Sequence, residues 1–402
     1  MKALILDASL KTATVKDIPL PLPAPGELLI HVHSIALNPI DSLYVAHPLG
    51  ATGRVVGSDF AGTVVSLSPS TPSLSSSKSE SKDEKKEEAC KLKPGSRVAG
   101  FLQGACSVNE RPGAFAEYVV CAWDLVWEIP GNVTFGEAAS ISLCGLTAAQ
   151  AVYYRLGLAA PFGSIESLGL RSRDAQADEE GKEIDFFIYS ASTSVGMYAA
   201  QLVRRGAEAS GRRTKLFGTA SGKRFQLLRD EPCKYDHLVD YHNADWVQHI
   251  RDLSDGHGMH YALDCISEGD SVRLVAETLS KDGRLGIVRS REGGAWEADD
   301  LRVEPIYGAV WECLGAEVQY QGLTVPASPE ARKFATEFYR WLSEGGKLEP
   351  NPVRKMPGGL ERVVEDGFAL LGTGSMQDRE QRRGEPWMKP VGAEKLVYNL
   401  IE

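Results

Sequence analysis

The stretch Phe186-Phe187-Ile188-Tyr189-Ser190-Ala191-Ser192-Thr193-Ser194-Val195-Gly196 decides the fold: an unbroken apolar run, a turn of hydroxyl residues, then a helix-like segment reaching about residue 205. A run apolar at successive positions reads as a strand buried on both faces, which is what a parallel sheet requires. The alternation repeats outward from it. Strand-like 215–217 precedes a helix near 223–229 and a strand at 237–239. Next come a helix with Trp246, Val247, Ile250 and Leu253 on one face, and a strand at 260–266. A helix carrying Val272, Val275, Ala276 and Leu279 is expected to stop at Gly283 and feed the strand Leu285-Gly286-Ile287-Val288. Residues 317–320 are the candidate sixth strand. Strands alternating with helices imply an α/β fold with a doubly wound parallel sheet over residues 156–345.

Residues 1–155 have a different rhythm. Short strands are punctuated by Pro and Gly: Leu28 to His33 alternates, and Arg54 to Val65 reads as two strand pieces around glycines, so this part is a small β-barrel or sandwich. Residues 66–91 interrupt it with nine serines, four lysines before Cys90 and five acidic residues. Almost nothing apolar there offsets the entropy of ordering, which predicts a disordered insertion between two strands. Residues 163–183 and 372–383 are weaker instances of the same composition. The last part, 346–402, ends in the strand Lys395-Leu396-Val397-Tyr398.

Composition excludes several classes. The chain has 402 residues, 43% hydrophobic and 24% charged, with 44 Lys plus Arg against 54 Asp plus Glu and a formal net charge of −10. An acidic chain has no global attraction for phosphate backbones, so no nucleic-acid partner is expected. The uncharged stretches 138–154 and 186–203 carry Ser, Thr, Gln and Gly throughout, so buried elements are expected and no membrane span. Seven scattered cysteines, an odd number, do not make a disulfide framework and point to the reducing cytoplasm.

Chemistry concentrates at two turns. A strand-to-helix turn sets helix N–H groups against an anion, as pyrophosphate-binding folds do. Against the pattern G-x-G-x-x-G, the glycine positions hold Ala191, Thr193 and Gly196. Ser192, Thr193 and Ser194 can either donate hydroxyl hydrogen bonds to phosphate or form an ordinary helix cap, and both readings stand. The next strand ends in Gly218-Thr219-Ala220-Ser221-Gly222-Lys223-Arg224, with no acid to hold a ribose 2′-hydroxyl. A hydroxyl and two cations suit a 2′-phosphate, which favours NADPH over NADH.

A resemblance follows from residues along the whole chain. Pro112-Gly113-Ala114-Phe115-Ala116-Glu117-Tyr118, Gly145-Leu146-Thr147-Ala148-Ala149 and Gly392-Ala393-Glu394-Lys395-Leu396-Val397 resemble the medium-chain dehydrogenase/reductase superfamily. Ala36-Leu37-Asn38-Pro39-Ile40-Asp41, Ser142 to Gln150, and Tyr261-Ala262-Leu263-Asp264-Cys265-Ile266 resemble its fungal trans-acting enoyl reductases, which work beside highly reducing polyketide synthases. The resemblance implies a GroES-like β-barrel catalytic domain (1–155), a Rossmann NADPH-binding domain (156–345) and a return to the catalytic domain (346–402). It assigns NADPH contacts to Ile40, Asp41, Ser42, Leu43, Ser192, Thr193, Ser194, Val195, Ser221, Gly222, Lys223, Arg224, Tyr241, Val391 and Gly392. Thr147 matches the threonine near nicotinamide and substrate. Relatives often carry a basic residue where this chain has Leu43, so no catalytic role transfers there. Neighbouring Tyr44 is either a proton donor or a packed aromatic.

Zinc relatives present a Cys at the position of Asn38 and a His-Glu pair at Ser58-Asp59, so no metal is expected. His31 and His33 read as a solvent-facing strand. Hydride addition to Cβ of an α,β-unsaturated thioester would build enolate charge on the thioester oxygen, with Thr147, Asn38 and backbone amides as donors. A polyketide-synthase acyl carrier protein is the expected partner, presenting a tethered thioester. An NADPH quinone or enone reductase acting on free small molecules, and a non-catalytic NADP-binding protein, remain alternatives.

Overall fold

The computed structural model describes residues 1–68, 90–163, 183–320, 323–379 and 383–401. The first half contains β1 (Lys2–Asp7), β2 (Thr12–Asp17), β3 (Glu27–Ala36), α1 (Pro39–Ala46), β4 (Asp59–Leu67), β5 (Arg97–Phe101), β6 (Tyr118–Ala122), β7 (Val126–Glu128), α2 (Phe135–Ala139) and α3 (Ser142–Ala149). Strand β3 alternates as its sequence requires: Leu28, Ile30 and Val32 are buried, while His31 and His33 face outward. That outer face is not bare. His31 stacks on Tyr118 at 4.5 Å and His33 on Phe135 at 4.2 Å, so both imidazoles are half-buried aromatic cover. Gly62 on β4 lies under the His31 carbonyl, where any Cβ would collide, so the close β3–β4 pairing requires glycine.

Two ends of the insertion are ordered parts of the barrel. Strand β4 runs on through Ser66 and Leu67, which pair with Leu29 and Leu28 of β3, and Ser68 and Cys90 are buried. The remaining residues of that expectation, 69–89, lie outside the described residues, as do 164–182.

The second half alternates β8 (Ile184–Tyr189), α4 (Ser194–Ser210), β9 (Thr214–Thr219), α5 (Phe225–Arg229), β10 (His237–Val239), α6 (Trp246–Asp252), β11 (Met259–Asp264), α7 (Ser271–Thr278), β12 (Leu279–Ile287) and β13 (Ile306–Tyr307). Its strands form one parallel sheet in the order β10-β9-β8-β11-β12-β13, with Phe186, Phe187 and Ile188 fully buried at its centre. Two expectations need correction. Helix α7 ends at Thr278 instead of Gly283, because Leu279 already pairs with Met259. Residues 318–320 are not the sixth strand of this sheet: they form β14 (Val318–Tyr320), hairpinned to β15 (Leu323–Val325). Hydrogen bonds draw β14 toward the barrel, from Val108 N–H to the Gln319 carbonyl (2.9 Å) and from Gln319 N–H to Asn109 Oδ1 (2.7 Å).

The chain then returns. After α8 (Pro329–Ser343) come β16 (Val353–Met356), α9 (Ala369–Leu371) and β17 (Lys395–Asn399). Strand β17 pairs antiparallel with β3, and the barrel sheet runs β16-β17-β3-β4-β5-β7 with β6 also on β3. One apolar core spans both halves, and α3 packs on α4 where the buried Tyr198 hydroxyl meets Ser140. Among the described residues, no helix is long and apolar enough to cross a membrane.

Candidate active site

A cleft of about 290 Å³ opens between the barrel and the carboxyl edge of the parallel sheet, the edge at which such sheets bind ligands. Its barrel wall is Ile40, Leu43 and Tyr44 from α1, with Leu143, Cys144 and Thr147 from α3. Its sheet wall is Val195 at the start of α4, then Cys265, Val288 and Arg289 just beyond β11 and β12.

Helix α1 opens with Pro39 at its first position, and the Asn38 N–H donates to Asp41 Oδ2 (2.8 Å). That bond turns Asp41 inward. Of the four residues Ile40 to Leu43, therefore, only Ile40 and Leu43 face the cleft: Asp41 is buried against Asn38 and Ser58, and Ser42 donates to the Pro39 carbonyl. The side chains of Asp41 and Ser42 are thus turned into the barrel and do not line the cleft.

Below the cleft lies a closed polar network. Asn38 Nδ2 donates to Ser58 Oγ (2.9 Å) and Asp59 Oδ2 (2.8 Å), and Ser58 Oγ donates to Asp41 Oδ1 (2.8 Å). Lys395 Nζ donates to Asn38 Oδ1, and lies 3.2 Å from Cys144 Sγ and 3.3 Å from Asp59 Oδ2. Both Asn38 amide protons are committed inward, so Asn38 is not the enolate donor that the sequence suggested. Thr147 Oγ1 likewise gives its proton to the Leu143 carbonyl (2.8 Å), which leaves its oxygen as an acceptor. The residues present do not fit zinc: an ammonium sits among Asn38, Asp59 and Cys144. Among the described residues no group of three or more His, Cys, Asp or Glu could hold a metal ion.

Burial pushes Asp41 up to about 7, against hydrogen bonds from Asn38 and Ser58, and burial also raises Asp59. Burial would strip the Lys395 proton, but neighbouring Cys144, Asp59 and Asp41 more than offset it. The pH consequence has a definite sign. Folded Asp41 keeps its proton to about 7 and unfolded Asp41 loses it near 3.8, so across that window the unfolded chain binds fewer protons. This group's contribution to stability falls as pH rises from about 4 to about 7. Urea unfolding across that window should show Asp41→Asn with a flatter pH dependence than the wild type; an unchanged dependence contradicts the assignment.

At the nucleotide turn, Thr193 Oγ1 accepts from Gly196 N–H (3.1 Å) and donates to the Ser190 carbonyl (2.9 Å), so its hydroxyl caps α4. Gly196 has a packing reason: a Cβ there would stand 2.8 Å from the carbonyl oxygens of Ser190 and Ala191. Ser192 and Ser194 stand half-buried beside the cap, and the first turn of α4 carries no acid. Ser221, Lys223 and Arg224 open the loop after β9, and the Arg224 guanidinium lies against Gly392 so closely that a Cβ would strike it. The Val391-Gly392 turn and Arg224, distant in sequence, are thus one surface. Tyr241 is 41% exposed and stacks on His242 at 4.2 Å. An acid is present after all, just beyond the following strand: Asp240 accepts the His242 N–H (3.0 Å), meets His242 Nδ1 (2.6 Å) and accepts the Gly222 N–H (2.9 Å), contacts that lower its proton affinity.

Sequence reasoning missed part of the cleft lining. Arg289 Nη1 donates to the Gly374 carbonyl (3.2 Å) and lies 3.5 Å from Glu268 Oε2, while the Met376 N–H donates to Glu268 Oε1 (3.2 Å). Gly374, Ser375, Met376 and Arg379 thus line the cleft, contrary to the low-order reading of 372–383; residues 380–382 lie outside the described residues. Arg289 follows Val288 at a strand's carboxyl end, a readable signal. Arg379 had none.

The alcohol dehydrogenase GroES-like domain family matches residues 24–131. Trans-enoyl reductase milB of Cordyceps militaris is 30% identical over 358 residues, covering 87% of this chain and 88% of the relative. This chain belongs to the trans-enoyl reductase family. The reductase is also similar to trans-enoyl reductase traG of Penicillium crustosum, 28% identical over 388 residues, covering 94% of this chain and 95% of the relative. Its fold matches the CurK enoyl reductase structure, with a TM-score of 0.63 at 15% identity, covering 99% of this chain and 98% of that one. An alcohol dehydrogenase superfamily protein from Novosphingobium aromaticivorans gives 0.68 at 16% identity, covering 100% and 99%. The resemblance read from sequence, the GroES-like barrel and the Rossmann sheet are borne out, and membership makes the reductase an oxidoreductase.

Proposed function

We propose that the reductase is a metal-free, NADPH-dependent enoyl reductase that adds hydride to Cβ of an α,β-unsaturated thioester held by a polyketide-synthase acyl carrier protein in trans. The observation that carries this reading is the cleft itself: largely apolar walls, two guanidiniums in its lining, and a helix N-terminus on its sheet side. Its volume sits at the lower end of small-molecule sites, about 300–1,000 Å³, enough for the enoyl end of a chain that extends out through the mouth.

Ser221, Lys223 and Arg224 would hold the 2′-phosphate, with Tyr241 and the Val391-Gly392 turn beside the adenosine. Ser192, Ser194 and the first N–H groups of α4 would face the pyrophosphate. Ile40, Leu43 and Val195 would flank the nicotinamide, and Thr147 Oγ1 would be available to it as an acceptor. The dinucleotide, when bound, supplies the hydride.

The chain must then stabilise charge that develops on the thioester oxygen. With Asn38 and Thr147 committed elsewhere, that work falls to Arg289 and Arg379, two cations facing the single carboxylate of Glu268 in a cleft of low polarity. Tyr44, on the opposite wall, would deliver the proton to Cα.

Incubating the reductase and NADPH with a crotonyl-type pantetheine thioester, and separately with a quinone, tests the reading. Rapid NADPH oxidation with the thioester is expected. Oxidation with the quinone alone, or tight NADPH binding without turnover on either, contradicts it.

A further inference from the structure

The buried cation below the cleft takes no direct part in the reaction just proposed, yet it touches every element that shapes the barrel wall. Lys395 heads β17, is 3% exposed, and reaches Asn38, Asp59 and Cys144 at once. Asp59 passes this contact on: its Oδ1 accepts the N–H of Leu143 (2.9 Å), in the first turn of α3. Helix α3 begins after Ile141, whose side chain has no acceptor, so Asp59 supplies its cap from across the barrel. One turn on, Thr147 is tied back to Leu143. Asn38 in turn precedes α1, the helix carrying Ile40, Leu43 and Tyr44.

We propose that Lys395 is a positioning residue: by joining Asp59 and Asn38 it locks the starts of α3 and α1 to β17, and so sets Thr147 and Tyr44 against the cleft. An apolar side chain of equal size would fill the space but leave the Asp59 charge without its cation and the Asn38 carbonyl with only the weak thiol donor of Cys144 (3.2 Å). Buried ion pairs add little net stability over apolar replacements, so a fixed geometry is what this one has to offer. The role rests on the enoyl reductase reading only where Thr147 and Tyr44 face the reactants.

Lys395→Met alone strands a buried carboxylate and is expected to unfold readily. The test therefore uses Lys395→Met/Asp59→Asn, which removes both charges and keeps an oxygen for Leu143, together with Lys395→Arg, which keeps the charge in a different shape. Thermal melting, NADPH affinity, single-turnover reduction of a crotonyl thioester and amide hydrogen exchange over residues 143–147 are compared with wild type. Expected for both variants are a cooperative melt, NADPH affinity within about three-fold of wild type, a single-turnover rate at least about ten-fold lower, and faster exchange at residues 143–147. A wild-type rate in either folded variant, or unchanged exchange at residues 143–147 in both, overturns the proposal. A wild-type enzyme that reduces no enoyl thioester sinks the reaction assigned above instead, and the exchange measurement still decides the role of Lys395.

Discussion

Replacing Lys223 and Arg224 together by alanine is expected to weaken NADPH binding about a hundred-fold and to leave NADH binding within about three-fold. A charge-assisted hydrogen bond contributes about 1.5–3 kcal/mol, and an arginine can grip phosphate with two at once. Lys223 is exposed and Arg224 half-buried, so salt still reaches both and the lower end of the range applies to each. Together they amount to about 3 kcal/mol, or about two decades in affinity. Only the phosphorylated coenzyme presents the group they would hold, so the loss must be selective. Arg224 has little freedom to move away, since Gly392 lies directly against its guanidinium. Calorimetric titration of wild type and variant with each coenzyme gives the answer. Equal losses for both would move the cations out of the 2′-phosphate site and leave Asp240 beside an ordinary ribose.

The second large effect concerns turnover. Arg289→Met and Arg379→Met are each expected to lower kcat by about a hundred-fold while NADPH affinity stays within a few-fold. Removing one donor to a developing oxyanion costs about 10²–10³ in kcat in comparable sites, and the apolar walls here keep the interaction from being diluted by water. Arg289 also anchors Gly374, so its loss should raise KM as residues 372–379 loosen. Arg379 lines the same cleft, and its variant should show the same drop in kcat. Steady-state kinetics separates the two. A kcat near wild type in Arg379→Met would return the oxyanion to Tyr44 and backbone amides.

The parallel sheet was legible because Phe186-Phe187-Ile188 has no polar face and so leaves a strand only one place to go. The end of α7 was not, since Leu279 suits a helix stripe and a strand equally, and only its pairing with Met259 decides. The sixth strand misled for a related reason. Ile306–Tyr307 is too short to carry a pattern, whereas residues 317–320 carry one but are held by the barrel.

The site divides in the same way. Ser221, Lys223 and Arg224 are adjacent in the chain, so their joint chemistry can be read directly. Asn38 could be found as a polar residue at a strand end, but not the destination of its protons, which depends on Ser58 and Asp59, nor its Lys395 partner 357 residues away. Local sequence shows which groups are present; tertiary packing decides which of their hydrogen bonds are left to give.

The reaction proposed above passes hydride from a phosphorylated nicotinamide coenzyme to Cβ of an enoyl thioester without help from a metal. Running the reaction with NADPH deuterated at the transferring position, in ordinary water with a strong chelator present, tests it most directly. Mass spectrometry and NMR of the reduced thioester should find one deuterium at Cβ, a solvent proton at Cα, and a rate unaffected by the chelator. Product without label at Cβ, or turnover abolished by the chelator and restored by zinc, would contradict the account.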